Sequence, residues 1–253
     1  AEWAQIYGET WRLFRDFFYL PDMGQVDWPA MRERYQPLLA HVTHRFDLNY
    51  VLGELVGELG TGHTYVGGGD LPKVERLPVG TLGADLTLDA EAGRWRIARI
   101  LPAQPWIEGR VSPLAAPGVK VSEGDYLLAI DGQELTAVDE PYRLLAQAPG
   151  RTVTLTVSGK PDRAGAREVQ VQPLPNEQDL RYFDWVEANR RKVDRASGGK
   201  VGYVHVPDMG ANGLTEFIRQ FYAQSHKDGL VVDVRANGGG FVSQMILERL
   251  RRR

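Results

Sequence analysis

Apolar residues in the first sixty positions recur at steps of three and four, the spacing that lines one face of an α-helix. The pattern predicts three helices. The face of the first carries Trp3, Ile6, Tyr7, Trp11, Phe14, Phe17 and Phe18. We expect Asp27 to cap the second helix, which has Pro29 in its first turn and directs inward Met31, Tyr35, Leu38 and Leu39. Asp47 likewise precedes the third helix, which we expect to stop at Gly60, a natural C-terminal glycine.

A glycine-rich segment, residues 60–69, follows the helices and predicts a tight turn, a short strand and a flexible exit. Its histidine, His63, falls between a packed helix and that strand, where a side chain can face a cleft. Such a histidine can act as a general base at neutral pH. From the sequence alone, a solvent-exposed loop histidine without chemistry is the competing interpretation.

From Pro78 onward the pattern changes to short strands separated by glycine turns. Asp131-Gly132 directly follows an apolar strand and predicts a hairpin-type turn. The predicted strands cover residues 81–88, 95–101, 126–130, 151–157 and 168–172, and a predicted helix covers 138–148. This region therefore has the pattern of a small β-rich domain.

After the break at Pro173 and Pro175, helices alternate with strands. The strands have nearly continuous runs of Val and Leu with a helical crossover between them, which indicates a parallel sheet buried on both faces. The predicted elements are helices over 178–196, 214–224 and 241–253 and strands over 200–206 and 230–234. Because two strands do not complete such a domain, we expect the protein to continue beyond Arg253.

Composition narrows the functional classes. The 253 residues are 43% hydrophobic, but no run approaches the ~20 apolar residues of a membrane helix, and charges in residues 1–20 disfavour a signal peptide. The absence of cysteine excludes thiolate catalysis and cysteine zinc sites. His41 and His44 have the spacing of metal ligands but lack a third ligand nearby, so we expect neither metal nor cofactor. A net charge of −3 gives no basis for binding nucleic acid.

Several motifs follow one another in a recognisable order. They are Gly-Thr-Gly-His-Thr at 60–64, Arg-Tyr-Phe-Asp-Trp-Val at 181–186, Gly-Tyr-Val-His-Val-Pro-Asp-Met at 202–209 and Asp-Val-Arg-Ala-Asn-Gly-Gly-Gly at 233–240. Between the first two, residues 112–118 and 121–132 resemble a PDZ domain of the bacterial protease type. The whole order resembles the core of the tricorn proteases, relatives of the carboxyl-terminal processing serine proteases.

This resemblance implies an α+β multidomain fold with three parts. Residues 1–76 would be the helical N-terminal part of the catalytic core, and residues 77–175 a PDZ-like β-rich domain inserted into it. Residues 176–253 would start an α/β catalytic subdomain of the ClpP/crotonase-like type, incomplete at its C-terminus.

The resemblance also assigns roles at two places. His63 falls at the family's catalytic histidine, although Gly62 stands where the family has a serine, so the imidazole must be oriented from elsewhere. Gly239 is the candidate for the oxyanion-hole amide, with Gly238 shaping the turn. Independently of the family, glycines between a buried strand and a helix can point backbone N–H groups at a developing negative charge. A strand-to-helix turn without chemistry is the alternative.

No serine of the chain lies in a Gly-x-Ser-x-Gly elbow, so the nucleophile is missing from the pattern. The serines are at 112, 122, 158, 197, 225 and 243, and Ser243 is better explained as a first-turn helix residue. In the family, the catalytic serine and glutamate lie downstream of the glycine turn, which here means after Arg253. His205 fits a hydrogen-bonded core histidine, and His226 fits a turn.

Two functional classes follow. The first is a serine peptidase acting on short peptides in the cytoplasm, without cofactor, which the resemblance implies to be a homo-oligomer in the full-length protein. The second is a peptide-binding module without catalysis, in which the PDZ region captures an extended peptide by strand addition. In that interpretation Leu82, Gly83 and Ala84 form the carboxylate-binding loop.

Overall fold

The computed structural model describes residues 2–102, 104, 105, 107 and 110–252. It separates into two compact units, Ala1–Arg76 and Leu77–Arg253. None of the helices in these described ranges combines the length and the hydropathy of a membrane-spanning segment.

The first unit is helical, as the spacing of its apolar residues predicts. It contains α1 (Glu2–Phe17), α2 (Trp28–Tyr35) and α3 (Arg45–Gly57), with short 3₁₀-helices at Met23–Gln25 and Gln36–His41. Two tryptophans join α1 to α2 reciprocally, because the indole N–H of Trp11 donates to Trp28 O at 2.8 Å and that of Trp28 donates to Trp11 O at 2.9 Å. These two hydrogen bonds satisfy the only polar atom of each buried ring.

Two details of this unit differ from the prediction. His44, not Asp47, caps α3: its Nδ1 accepts from the Asp47 N–H at 3.4 Å, while the Asp47 carboxylate accepts from the His44 N–H at 3.3 Å. Asp47 is therefore the third helical residue of a capping box. Leu38, expected to face inward, is 40% exposed, because α2 ends at Tyr35 and the 3₁₀-helix that follows places side chains at a different angular spacing.

The second unit begins with an antiparallel sheet. Its strands are β1 (Ala84–Asp89), β2 (Arg94–Ile100), β3 (Tyr126–Ile130), β4 (Gln133–Glu134), β5 (Val153–Ser158) and β6 (Arg167–Val171). The order is β1-β2-β3-β5-β6, with β4 paired to β3, so β1 is an edge strand. The predicted hairpin turn is present, since Asp131 and Gly132 both have positive φ, 48° and 77°. One face of the sheet covers a core that includes Ile97, Leu127 and Leu155.

The helix predicted over 138–148 is much shorter, α4 (Pro141–Leu144). The residues after it bond instead to the start of the unit. Leu145 O accepts from the Gly80 N–H at 2.9 Å, and the Gln147 N–H donates to Pro78 O at 2.6 Å. Gln147 also has a φ of 57°. Tertiary hydrogen bonds therefore end this helix early.

The rest of the second unit alternates helix and strand as predicted. It contains α5 (Gln178–Ala196), β7 (Val201–His205), α6 (Ala211–Tyr222), β8 (Gly229–Asp233) and α7 (Ser243–Arg251). The strands β7 and β8 are parallel, with Val201 opposite Gly229 and His205 opposite Asp233. Burial on both faces is wrong for β8, where Val231 is 42% exposed, because α5 and α6 both pack on β7. The mixed α and β architecture is confirmed.

Candidate functional site

The loop that carries His63 follows α3 in the first unit. Gly60 ends the helical segment with a φ of 58°, and His63 itself has a φ of 64° with an exposed side chain. The short strand expected after His63 is not formed. The Thr64 hydroxyl instead donates to Thr61 O at 3.0 Å, and local bonds of this kind compete with strand pairing.

The far end of this loop is attached to α3. The Asn49 side-chain amide donates to Gly68 O at 3.0 Å, and Arg45 Nε donates to Asp70 Oδ1 at 2.5 Å. The Arg45 hydrogen bond lowers the pKa of Asp70. A Cβ at Gly69 would lie 2.3 Å from Arg45 Nε, so glycine lets the arginine cross the loop. The loop thus leaves α3 and returns to it, with His63 on the exposed part between.

The side chain that His63 contacts is Tyr65. The tyrosine hydroxyl lies 3.4 Å from His63 Nδ1, and the two rings are edge-on with centroids 6.3 Å apart. Tyr65 was not singled out in the sequence, although its position two residues along the chain was the available signal. Its hydroxyl is within hydrogen-bond reach of His63 Nδ1 and can orient the imidazole.

The glycine turn lies in the second unit, at the carboxyl end of β8. Asn237 stabilises it twice: its Nδ2 donates to Val206 O at 2.9 Å, and its Oδ1 accepts from the Gly239 N–H at 2.8 Å. The Gly238 N–H donates to Pro207 O at 2.9 Å. The turn is therefore bonded to the segment that leaves β7. It lies at the carboxyl ends of the strands, where parallel α/β sheets bind ligands.

These bonds bear on the two amides expected to serve an oxyanion. The Gly238 N–H is used by backbone, which fits its predicted role in shaping the turn. The Gly239 N–H is aligned by the Asn237 carboxamide, so an incoming oxyanion has to replace that oxygen. Gly239 needs glycine for its φ of 79°, while Gly240 needs it for space, since a Cβ there would lie 2.2 Å from Met209 O.

Asp208 supports the same end of the sheet and was missed in the sequence. Its Oδ1 accepts from the Gly210 N–H at 2.7 Å and the Gly213 N–H at 2.9 Å, and its Oδ2 accepts from the Asn212 side chain at 3.2 Å. These hydrogen bonds, with the Gly213 amide first, lower the pKa of Asp208. A Cβ at Gly213 would lie 1.8 Å from Asp208 O, so this corner is closely packed.

His205 is the buried core histidine that the strand pattern predicted. Its Nε2 lies 2.9 Å from the Arg235 carbonyl and must donate to it, so Nδ1 is free to accept from the Tyr182 hydroxyl at 3.0 Å. Burial raises the pKa of Tyr182. Asp233 binds Arg235 and accepts from the Tyr203 hydroxyl at 2.7 Å, and its pKa is lowered chiefly by Arg235. These bonds organise the chain that leads into the glycine turn.

Leu82, Gly83 and Ala84, the expected carboxylate loop, directly precede and begin the edge strand β1. Gly83 has a φ of 64°, and its carbonyl accepts from the Leu101 N–H and the Ser112 hydroxyl, both at 2.9 Å. Its N–H donates to Glu177 Oε2 at 3.2 Å. Both backbone polar groups of Gly83 are therefore bonded, and its N–H already has a carboxylate acceptor.

The remaining candidates have structural positions. Ser243 begins α7, as expected of a first-turn helix residue. His44 caps α3, and His226 lies in the turn between α6 and β8. The proposed catalytic residues are thus distributed, with His63 in the first unit and Gly238 and Gly239 in the second.

Comparison with known proteins covers all three parts of the chain. Residues 1–57 match the family model of the tricorn protease C1 domain, residues 80–176 that of the tricorn protease PDZ domain, and residues 200–251 that of peptidase family S41. Tricorn protease homolog 1 of Streptomyces coelicolor is 44% identical over 256 residues, which are 100% of this chain and 23% of that protein.

The tricorn protease of Thermoplasma acidophilum is 36% identical over 249 residues, which cover 98% of this chain and 23% of that protein. The crystal structure of the tricorn protease has a TM-score of 0.88 and 36% identity to this chain, covering 100% of it and 24% of its own chain. The chain therefore spans about a quarter of the length of the proteins it matches. It belongs to the tricorn protease family and carries its C1 domain, its PDZ domain and residues of an S41 peptidase domain.

Proposed function

We propose that the protein is a serine peptidase that hydrolyses peptide bonds in short peptides. The match of residues 200–251 to peptidase family S41 carries the proposal. The glycine turn at the carboxyl ends of β7 and β8 supports it, because the Gly239 N–H can donate to a developing negative charge once it leaves Asn237 Oδ1.

The proposed mechanism assigns one role to the His63 side chain and another to the Gly239 N–H. A serine from the sequence beyond Arg253 attacks the peptide carbonyl, and His63 Nε2 takes its proton and returns it to the leaving amine. Nδ1 then has to carry the hydrogen, so it donates to the Tyr65 hydroxyl, the neighbour found at 3.4 Å. The Gly239 N–H leaves Asn237 Oδ1 and donates to the tetrahedral oxyanion. Water releases the acyl group by the same route.

A histidine variant of the full-length protein tests this mechanism. We expect His63→Ala to reduce kcat by about 10³-fold or more with KM within a few fold, because a general base acts in the transition state. His41→Ala is the matched control, an exposed histidine of the same unit. Turnover by His63→Ala equal to that of His41→Ala would contradict the assignment.

The chain of residues 1–253 gives a second test. We expect it to hydrolyse no fluorogenic peptide and to remain unlabelled by a serine hydrolase probe, because loss of one triad member removes several orders of magnitude of rate. Turnover that Ser243→Ala abolishes would show that the nucleophile is Ser243 and that the proposed position beyond Arg253 is wrong.

The edge position of β1 favours a second function, capture of an extended peptide by strand addition. We propose that residues 77–175 are the unit that does this. Their ends are joined, since Thr81 and Leu174 exchange two backbone hydrogen bonds of 2.9 Å. Expressed alone, they should melt cooperatively at monomer size, and an aggregating or molten product would refute this boundary. Peptide binding without probe labelling of the full-length protein would favour this function over catalysis.

Family membership also supports two further proposals. The first is that the full-length protein self-associates, and the second is that it acts in the cytoplasm. Light scattering on the full-length protein tests the first, and a monomer at micromolar concentration would contradict it. Fractionation of the source cells tests the second.

A further inference from the structure

Glu177 is bonded to the very loop that a PDZ ligand is expected to use. It precedes α5, and its Oε2 accepts from the Gly83 N–H at 3.2 Å, a contact between residues 94 positions apart. Its Oε1 accepts from Arg181 at 2.5 and 2.8 Å. The glutamate side chain is only 13% exposed. The contact is therefore part of the packed structure and not a surface encounter.

The backbone brings Glu177 to this place. Thr81 and Leu174 pair as an antiparallel bridge, so the segment leading to Glu177 runs beside the segment leading to Gly83. Two ion pairs then hold the first turns of α5 against the sheet, Arg181 with Asp85 at 2.9 Å and Arg99 with Asp184. The backbone bridge and the two ion pairs together therefore hold the Glu177 carboxylate against the loop.

The receptor for this carboxylate has two parts, one backbone and one side chain. The Gly83 N–H lies just before β1, where strand addition would place the carboxyl end of a peptide. The Arg181 guanidinium, 46% exposed, supplies a charge and a second donor. Together they offer what a terminal carboxylate needs, and Glu177 presents the same chemical group.

We propose that Glu177 is an internal ligand of the PDZ loop, and that the C-terminal carboxylate of a peptide binds to Gly83 and Arg181 only by displacing it. The internal carboxylate competes as a tethered group, at a high effective concentration that every peptide has to overcome. Peptide binding then releases the start of α5 from the loop. This proposal rests on peptide capture by strand addition to β1, goes beyond the peptidase chemistry and requires no catalytic serine.

Binding of peptide pools to the full chain tests the proposal. The probe is a pool of fluorescein-labelled pentapeptides of random sequence with a free C-terminal carboxylate, and the reference is the same pool with a C-terminal amide. We expect Glu177→Ala to bind the carboxylate pool about tenfold more tightly than wild type, a typical coupling between competing sites, with no gain for the amide pool. Adding Arg181→Met to Glu177→Ala should remove the gain.

Glu187→Ala is the matched control, because Glu187 forms a similar ion pair with Arg190 on the same helix, at 2.5 Å, away from the loop. It should bind both pools as wild type does. Equal affinity of wild type and Glu177→Ala for the carboxylate pool would overturn the proposal, as would an equal gain for the amide pool.

A spectroscopic measurement keeps the test independent of peptide sequence and of folding defects. The Gly83 amide hydrogen should exchange with solvent slowly in wild type and in Glu187→Ala, because it is bonded to the Glu177 carboxylate. It should exchange faster in Glu177→Ala, which has no acceptor there. A Gly83 amide hydrogen that exchanges at the same rate in all three proteins would refute the internal ligand. None of these readouts depends on peptidase activity. A protein that proved to have no peptidase activity would therefore still test the proposed role of Glu177.

Discussion

The loop that carries His63 and the turn that carries Gly239 are both rich in glycine, yet their backbones are stabilised differently. In the turn, the Asn237 side chain and the Gly238 N–H bond directly to the segment after β7. In the loop, the long-range bonds lie at its far end, near Gly68. Groups with several partners have few alternative conformations, whereas an exposed residue can reorient. The backbone of the turn is therefore preorganised, whereas the exposed His63 can change its orientation.

The sharpest test compares one glycine from each region. Gly240→Ala should destabilise the protein by about 3 kcal/mol or more, because its Cβ would lie 2.2 Å from Met209 O at a φ of 139°. Gly62→Ala, with no atom within 4 Å of its Cβ, should change stability by less than about 1 kcal/mol. Chemical denaturation measures both. Similar losses in the two variants would remove the contrast.

A smaller difference is expected between two asparagines. Asn237→Ala removes an acceptor and a donor from the turn and should cost about 1–3 kcal/mol. Asn49→Ala removes one bond to the His63 loop, at Gly68 O, and should cost about 0.5–1 kcal/mol. Equilibrium unfolding in urea distinguishes them, and a larger cost for Asn49→Ala would reverse the comparison.

Acid should weaken the surroundings of the turn through Asp208. Its pKa is below the usual value of 3.8, so its contribution to stability is present above about pH 4 and is lost as the pH falls through the folded pKa. Asp208→Asn should flatten the fall of the unfolding free energy below pH 4. Thermal melts of both proteins at several pH values supply the slopes. Parallel slopes would show that Asp208 does not contribute.

The smallest effect is expected at His63 itself. A φ of 64° disfavours any residue other than glycine, so His63→Gly relieves strain while adding entropy to the unfolded chain. We expect the two effects to leave the free energy of unfolding within about 1 kcal/mol of wild type. A loss above about 2 kcal/mol, measured by denaturation, would mean that the histidine is packed and not adaptable.

Periodicity alone predicted the regular elements well. The strand over 126–130 and the helix over 178–196 form at the predicted residues, and β7 and β8 are parallel as their Val and Leu runs indicated. Local apolar spacing determines such elements because the burial of one face depends on neighbours along the chain. Motif order was also sufficient to identify the family, since the matched domain models follow the same sequence order.

Hydrogen bonds between residues far apart in the sequence determined features that the local pattern did not predict. Pairing of residues 145–147 with 78–80 shortened the predicted helix, and the Asn237 side chain donates to Val206 O, 31 positions away. Glu177 reached Gly83 across 94 positions. Each of these contacts joins groups whose approach depends on how whole elements pack, and no local pattern of polar or apolar residues encodes it. The sequence therefore determined the elements and the family, and the tertiary structure decided which polar groups are already engaged.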